Sequence, residues 1–395
     1  MWVTNMIYFS AVGMVNALGN SNAQIAASLT SGAAPGMSLQ EGWLTEERPV
    51  WLGAVTGELP AIPGSLSAHR SRNNQLLLAA LAQIESQVHA AVSRYGKDRV
   101  AVIMGTSTSG IAEGEEAVRH LHRHGQFPSG YDYQQQELGD PSLFMAELLD
   151  LCGPAYTLST ACSSSARAII SGKRLIDAGL ADAALVGGAD SLCRMPVNGF
   201  NSLESFSRGR CTPFGQDRDG INIGEASALI LLTREPADVA LLGAGESSDA
   251  WHMSAPHPEG LGAERAIRMA LAQAGLSAAD VGYINAHGTA TPLNDQAEAA
   301  VIHRLFGSQT PCSSTKHLTG HTLGAAGATE AALGWLILTQ NLNLPPQDFS
   351  VMPRDTRLAA IRLVEKGEAL AKPVILSNSF AFGGNNACIV IGRPS

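Results

Sequence analysis

Thr160-Ala161-Cys162-Ser163-Ser164-Ser165-Ala166 is the stretch on which the reading of this chain turns. Small residues flank a cysteine, and a helical pattern follows over residues 166–178 and closes at Gly179. A cysteine at a helix mouth gains thiolate stability from unpaired N–H groups and from the helix dipole. Small neighbours leave room for a substrate to reach the sulfur. The same pattern also suits a buried structural cysteine, because free cysteine packs as a small hydrophobe.

Outward from that stretch, short apolar runs alternate with longer helical patterns. Residues 100–104 read as a strand ending in the small-residue loop Gly105-Thr106-Ser107-Thr108-Ser109-Gly110. Residues 183–188 read as another strand, and 226–233, apolar almost throughout, as a third and central one. At the front, residues 7–12 read as a first buried strand with a turn over 16–20. The charged run Arg234-Glu235-Pro236-Ala237-Asp238 breaks the pattern before a new strand over 239–242, and places the boundary between two halves, 1–235 and 236–395. Beyond it, 264–274 read as a helix stopped by Gly275, 281–286 as a strand, 325–340 as a helix, and 374–376 with 388–391 as paired late strands. Such alternation marks an α/β fold with parallel sheets covered by helices. A duplication at half-chain scale fits, although residue identity does not display one.

Bulk properties narrow the function. The chain of 395 residues is 45% hydrophobic and 15% charged, which fits a compact enzyme and argues against disorder. A net charge of −9 argues against nucleic acid as a partner. The six cysteines, at 152, 162, 193, 211, 312 and 388, form no C-x-x-C pair and no zinc-finger spacing with histidine, so no metal site is expected. Their scatter fits a reducing cytoplasm. Residues 1–18 are apolar but lack a basic n-region and an unbroken apolar run, so neither a signal peptide nor membrane insertion is expected; Met6 is an alternative start.

Three further segments carry chemistry. In Asn285-Ala286-His287-Gly288-Thr289-Ala290-Thr291, a histidine follows a strand directly, where α/β enzymes place reactive groups, with two hydroxyls beside it. A loop histidine in a threonine-rich turn would look the same. In residues 314–330, Lys316 and His321 sit in a glycine-rich loop that leads into a helix bearing Glu330, with His317 a bystander. Phe382 beside Gly383 and Gly384 suits a mobile lid or a tight turn, since glycine permits wide backbone excursions. A cysteine nucleophile, two histidines and a lysine together suit acyl transfer.

Together these segments resemble the elongating β-ketoacyl-acyl-carrier-protein synthases, the Cys-His-His class. The likeness opens at residues 10–20, includes Cys211-Thr212-Pro213-Phe214-Gly215-Gln216-Asp217-Arg218-Asp219-Gly220, and ends at the Phe382 lid. The resemblance implies a thiolase fold: duplicated βαβαβ halves in a five-layer αβαβα sandwich, the first carrying the cysteine and the second both histidines. It implies that Cys162 takes the acyl group as a thioester, and that the Cys162 and Phe382 N–H groups form an oxyanion hole. His287 and His321, as neutral Nε2–H donors, would hold the malonyl carbonyl as carbon dioxide leaves. Lys316 and Glu330 match supporting polar positions, and Thr289 and Thr291 match positions that contact a phosphopantetheine arm. No cofactor is implied beyond that arm of the acyl carrier protein.

Near relatives differ in content. Ketoacyl synthase III and chalcone-synthase-like enzymes carry Asn where this chain has His321; degradative thiolases carry a second reactive cysteine; chain-length factors lack the nucleophile. A non-condensing acyltransferase or decarboxylase on this fold, or a partner subunit, stays open. The chain also departs from the family's usual pattern: Ile221 follows Arg-Asp-Gly in place of Phe, and Gly224-Glu225-Ala226 replaces Gly-Glu-Gly. Thr108 occupies a position that shapes the acyl pocket across the dimer contact. The Ile221 segment resembles synthases of aryl-polyene pigments, which implies rigid unsaturated chains and a homodimer or a heterodimer with a chain-length-factor-like paralogue. The carrier protein in this family is acidic, so a basic docking patch of Arg70, Arg72, Arg208 and Arg210 is expected.

Overall fold

The computed structural model describes residues 6–394, so Met1 to Asn5 of the apolar N-terminal stretch, and with them the question of the start, lie outside the described residues. Ten strands carry the architecture. In the first half they are β1 (Ile7–Val15), β2 (Val100–Gly105), β3 (Ala155–Leu158), β4 (Ala183–Asp190) and β5 (Ala226–Thr233). In the second they are β6 (Ala240–Ser248), β7 (Tyr283–Asn285), β8 (Pro311–Ser313), β9 (Val374–Phe380) and β10 (Asn385–Gly392).

The duplication that residue identity conceals is plain in the topology. The first five strands run in the order β3-β2-β4-β5-β1, and the next five in the order β8-β7-β9-β10-β6. In each set the first two pairings are parallel and the last two antiparallel. The halves also join edge to edge, through Ile7↔Leu241 and Tyr8↔Ala240, so that with the short strand Arg362–Leu363 at the far end the sheet is continuous.

Five helices matter for the site: α1 (Arg72–Leu81), α2 (Ser164–Asp177), α3 (Leu261–Ala274), α4 (Pro292–Phe306) and α5 (Ala326–Gln340). Helices α2 and α5 lie between the two sets of strands; each packs on strands of both halves and on the other helix. Their contact is close: a Cβ added at Gly327 would stand 2.6 Å from Ala166 Cβ. Helix α5 is apolar on every side and buried almost throughout, as a middle layer requires. Helix α1 covers the outer face of the first set, on β1, β4 and β5, and α3 covers the second, on β6 and β10. The layers are therefore helix, sheet, helix, sheet, helix.

Some sequence expectations shift. Strand β7 holds three residues, not the six expected over 281–286, because Gly282 and Ala286 bond to Val374 and Ser313 just outside the regular ladder. Helix α3 starts three residues earlier than expected, after Gly260 in a left-handed conformation. A small sheet of Met37–Gln40, Val50–Gly53 and Ile223–Gly224 was not read from sequence. Its last strand runs beside His321: the His321 N–H donates to Asn222 O and the Gly224 N–H to His321 O.

Candidate active site

Cys162 sits just ahead of α2, and Ala161 before it takes φ 50°, the left-handed region. That bend turns the sulfur toward the opposite half, where His321 Nε2 lies 3.1 Å from Cys162 Sγ. One ligand-type atom from each of Cys162, His287 and His321 lies within 4.8 Å of the others. The two imidazoles meet edge to face, 5.4 Å between centroids and at 88°.

The proton on His321 can be placed. The Leu323 N–H donates to His321 Nδ1 at 3.1 Å, so that nitrogen is an acceptor and the neutral ring carries its hydrogen on Nε2. A metal on Nε2 would push that proton onto Nδ1 and against the Leu323 N–H, so this trio is better built to donate than to ligate. Burial, and then the Lys316 charge, hold both histidines well below the usual imidazole range, and both stay neutral. The Lys316 ammonium pairs with the Glu330 carboxylate at 2.5 Å, both buried, next to the site and outside its lining.

His287 is held differently. Its backbone N–H and that of Gly288 donate to the two oxygens of Glu298 at 2.8 and 2.7 Å. Asn378 Nδ2 supports the same carboxylate at 3.1 Å. Burial pushes the Glu298 carboxyl up to about 7, against these donors. The ring itself is looser: among the described residues nothing bonds His287 Nδ1, a buried atom.

The sulfur departs from the sequence expectation. A helix mouth was expected to favour the thiolate, yet burial pushes the Cys162 thiol up to about 11, with the Lys316 charge and the backbone N–H groups of Phe382 and Cys162 opposing. Desolvation of a charged sulfur outweighs the donors. Those same two N–H groups are the pair expected to form an oxyanion hole.

A cavity of about 310 Å³ reaches Cys162, His287 and His321. Of the other expected site residues, Thr289, Thr291, Ile221 and Phe382 line it. The two threonine hydroxyls are 2.8 Å apart. Phe382 rests its ring on Phe200, 5.4 Å between centroids, and Gly383 and Gly384 behind it take φ 82° and 76°. The lid is tied to a neighbouring loop by Gly383 N–H to Met253 O and Asp249 N–H to Gly384 O, both 2.8 Å.

Thr108, expected to shape the acyl pocket across the dimer contact, lies outside the cavity lining of its own chain, with its hydroxyl turned onto Asp190 Oδ1 at 2.8 Å. Two expectations are corrected. Arg72 is not a free docking cation, because Nε and Nη2 bond the buried Glu225 at 2.8 and 2.6 Å. Arg210 is likewise turned inward, with Nε and Nη2 on His317 O at 3.1 and 3.0 Å. Arg70 and Arg208 are exposed. His317, read as a bystander, is buried outside the cavity lining, and burial pushes it down to about 4.

Sequence reading missed Asp190, Glu298 and Leu323, which bond the loops that bear the reactive groups. Glu298 lies eleven residues beyond His287, on α4. Its burial marks it in the structure, and the sequence carries no such mark.

Two family models divide the chain: "Beta-ketoacyl synthase, N-terminal domain" matches residues 67–237 and "Beta-ketoacyl synthase, C-terminal domain" matches 239–349. The 3-oxoacyl-[acyl-carrier-protein] synthase 2 of Rhizobium meliloti is 38% identical over 262 residues, an alignment that spans 62% of each protein. The protein of the same name from Staphylococcus aureus is 30% identical over 337 residues, 81% of this chain and 83% of that one. Among solved structures, a chain of the ketosynthase ApeO in complex with its chain length factor ApeC, from Xenorhabdus doucetiae, is 61% identical with a TM-score of 0.97, covering 98% of both chains. A β-ketoacyl synthase from Burkholderia phymatum is 27% identical with a TM-score of 0.85, covering 99% of this chain and 100% of that one. With its thiolase fold and a cysteine facing two neutral imidazoles, the chain belongs to the β-ketoacyl synthase family.

Proposed function

We propose that this chain catalyses a decarboxylative condensation between an acyl thioester held on Cys162 and a malonyl thioester carried by an acyl carrier protein. One observation supports it above the others: Leu323 N–H on His321 Nδ1, which leaves an Nε2–H donor beside the sulfur. In the first step Cys162 Sγ attacks the acyl thioester, and the carrier thiol leaves with the proton. The N–H groups of Cys162 and Phe382 take the negative oxygen of the tetrahedral intermediate. In the second step the His287 and His321 donors hold the malonyl thioester oxygen. The bond to the carboxylate breaks, carbon dioxide leaves, and the electron pair becomes an enolate. Its carbon attacks the Cys162 thioester; the new C–C bond forms, the C–S bond breaks, and the sulfur leaves as a thiolate that takes a proton from water. No base has to remove a carbon-bound proton. Burial keeps both imidazoles neutral, and the charge of Lys316, paired with Glu330, adds to it.

The labour divides as the sequence suggests, with the nucleophile in residues 1–235 and both histidines in 236–395. Thr289 and Thr291 bind the phosphopantetheine arm, and no cofactor is held permanently. The partner is a chain-length-factor-like paralogue or a second copy of this chain, in the cytoplasm; the ApeO–ApeC pairing of a 61% identical neighbour supports the paralogue. Ile221 in the cavity wall suits rigid unsaturated chains of the aryl-polyene kind. The test is intact-mass analysis of carrier-bound products, with malonyl carrier and a panel of saturated, polyenoyl and aryl starters. A β-ketoacyl product with loss of carbon dioxide is expected, strongest from the unsaturated starters. Acyl exchange without a new carbon–carbon bond would overturn the condensing role, and efficient elongation of saturated starters alone would overturn the substrate class.

A further inference from the structure

Asp190 ends β4 and is fully buried. Its Oδ1 takes four donors: Thr106 Oγ1 at 2.7 Å, and Ser107 N, Thr108 N and Thr108 Oγ1 each at 2.8 Å. Its Oδ2 takes the Ala325 N–H, from the opposite half, at 3.2 Å. The first group belongs to the loop after β2, whose Ser107 hydroxyl reaches Ala161 O at 3.5 Å, one residue before the nucleophile. The single donor on the far side belongs to the turn Leu323–Ala325, whose first N–H holds His321 Nδ1.

That turn needs support. Leu323 takes φ 51°, a conformation that costs a non-glycine residue roughly 1–3 kcal/mol and persists only when its surroundings enforce it. Its side chain is anchored by burial with Ile221 and Ile223. Its polar anchor across the halves is Asp190, which shares the Ala325 N–H with Thr322 O at 3.0 Å and is approached so closely that a Cβ on Gly324 would stand 2.8 Å from Oδ2.

We propose that Asp190 is a positioning residue for the condensation step: it clamps the Leu323–Ala325 turn to the loop beside Cys162, and so keeps the His321 proton on Nε2. The inference rests on the condensing function proposed above. The site calls for a carboxylate. It meets donors on both oxygens, whereas an asparagine would turn its NH2 toward either the Thr106–Thr108 donors or the Ala325 N–H. Burial raises the Asp190 carboxyl and the hydrogen bonds from Thr106, Ser107 and Thr108 oppose that. Thr108 thereby gains a role that the resemblance did not give it.

The test uses Asp190→Asn, Thr108→Val and Thr108→Ser in the full chain, with three readouts: acyl loading of Cys162 by mass, condensation kcat, and the 15N signals of the His321 ring. Asp190→Asn should lose about a hundredfold in condensation kcat, as for a misplaced transition-state donor. Its loading rate should fall by about tenfold at most, the share of the His321 donor on the sulfur, and so by much less than condensation. Its His321 signals should change from one Nε2–H tautomer to a mixture. Thr108→Val removes one donor and should lose about tenfold, while Thr108→Ser keeps the hydroxyl and should match the parent. Should Asp190→Asn not fold, Thr108→Val still decides. An unchanged condensation rate in Asp190→Asn and Thr108→Val, a proportional fall in their loading and condensation, or a single unchanged tautomer in Asp190→Asn would each overturn the clamp. A parent chain that forms no ketoacyl product would instead count against the proposed function, and the tautomer readout would still judge Asp190.

Discussion

Helices α2 and α5 occupy the same place in the two halves, each following the third strand of its set, yet they present different chemistry at their mouths. Before α2 stands Cys162; before α5 stands His321, with the Leu323–Ala325 turn between. The loops after the second strands differ in the same way. After β2 the loop is Thr106 to Gly110, all small and polar, and it supports; after β7 it carries His287, and it reacts. One topology, used twice face to face, thus yields a sulfur from one side and two donors from the other. Neither half holds a working site alone, because the 3.1 Å contact between Cys162 and His321 crosses the pseudo-symmetry.

The sharpest way to break the comparison is to empty one mouth. Cys162→Ala should abolish acyl loading, read as complete loss of the thioester adduct by mass, while leaving both imidazoles in place. An adduct elsewhere on the chain would remove the sulfur from the reaction. The reciprocal change is next in size. His287→Ala and His321→Ala should each retain loading and lose about 10²–10³ in condensation kcat, the usual cost of one donor at a developing oxyanion. Normal condensation by both would mean that the halves do not divide the labour.

A subtler experiment distinguishes the two histidines. His321 alone has its tautomer fixed and its Nε2–H on the sulfur; His287 is fixed through its backbone by Glu298. With the thiol pushed up to about 11, alkylation of Cys162 by iodoacetamide should climb with pH and level off only near that value, because only the thiolate attacks. His321→Ala removes a donor to the charged sulfur and should slow alkylation at neutral pH by about tenfold or more. His287→Ala should leave it nearly unchanged. Both imidazoles are held well below their usual range, so they stay neutral from pH 6 upward and add no acid limb there. A condensation rate that fell from pH 8 to pH 6 in step with imidazole protonation would contradict that.

What was legible in the sequence follows the same division. Cys162, His287, His321 and the lid could be read because each lies in a short segment whose neighbours are small for a reason, room for a substrate or a tight turn. The strands could be read because strands covered on both faces are continuous apolar runs; β5, antiparallel to both neighbours but fully buried, matches its expected bounds over 226–233. The supporting carboxylates could not be read. Asp190 and Glu298 act through oxygens that meet backbone N–H groups, those of Asp190 far away in the chain, and a backbone donor leaves no mark in a sequence. The protonation state of Cys162 was misjudged for a related reason. The helix mouth is local and visible, but the burial that outweighs it comes from both halves at once. The duplication was hidden because pairing order, not residue identity, is what the two halves share.

The smallest effect concerns the arginines, where the surface and the interior differ. Arg72 and Arg208 were expected to serve together as docking cations, and the structure sets them apart. Arg72 is the counter-charge of Glu225, a carboxylate that also accepts from Val55 N and Leu192 N and is fully buried. Arg72→Glu would put a second carboxylate against it and leave a buried charge unpaired, at a cost of about 3 kcal/mol or more. Its reading is a lower thermal midpoint, with or without a carrier protein. Arg208 is exposed, and of its bonds the one from its backbone N–H, to Asp219, does not involve the guanidinium. Arg208→Glu should keep the midpoint and raise the KM for an acidic carrier by a few-fold, an effect that fades as salt rises, since exposed charges are screened beyond about 10 Å at 0.1 M. Loading from a small thioester should not change. If Arg208→Glu left the KM unaltered at low salt, the carrier would have to approach by another face, and of the four arginines only Arg70 would remain both exposed and untested.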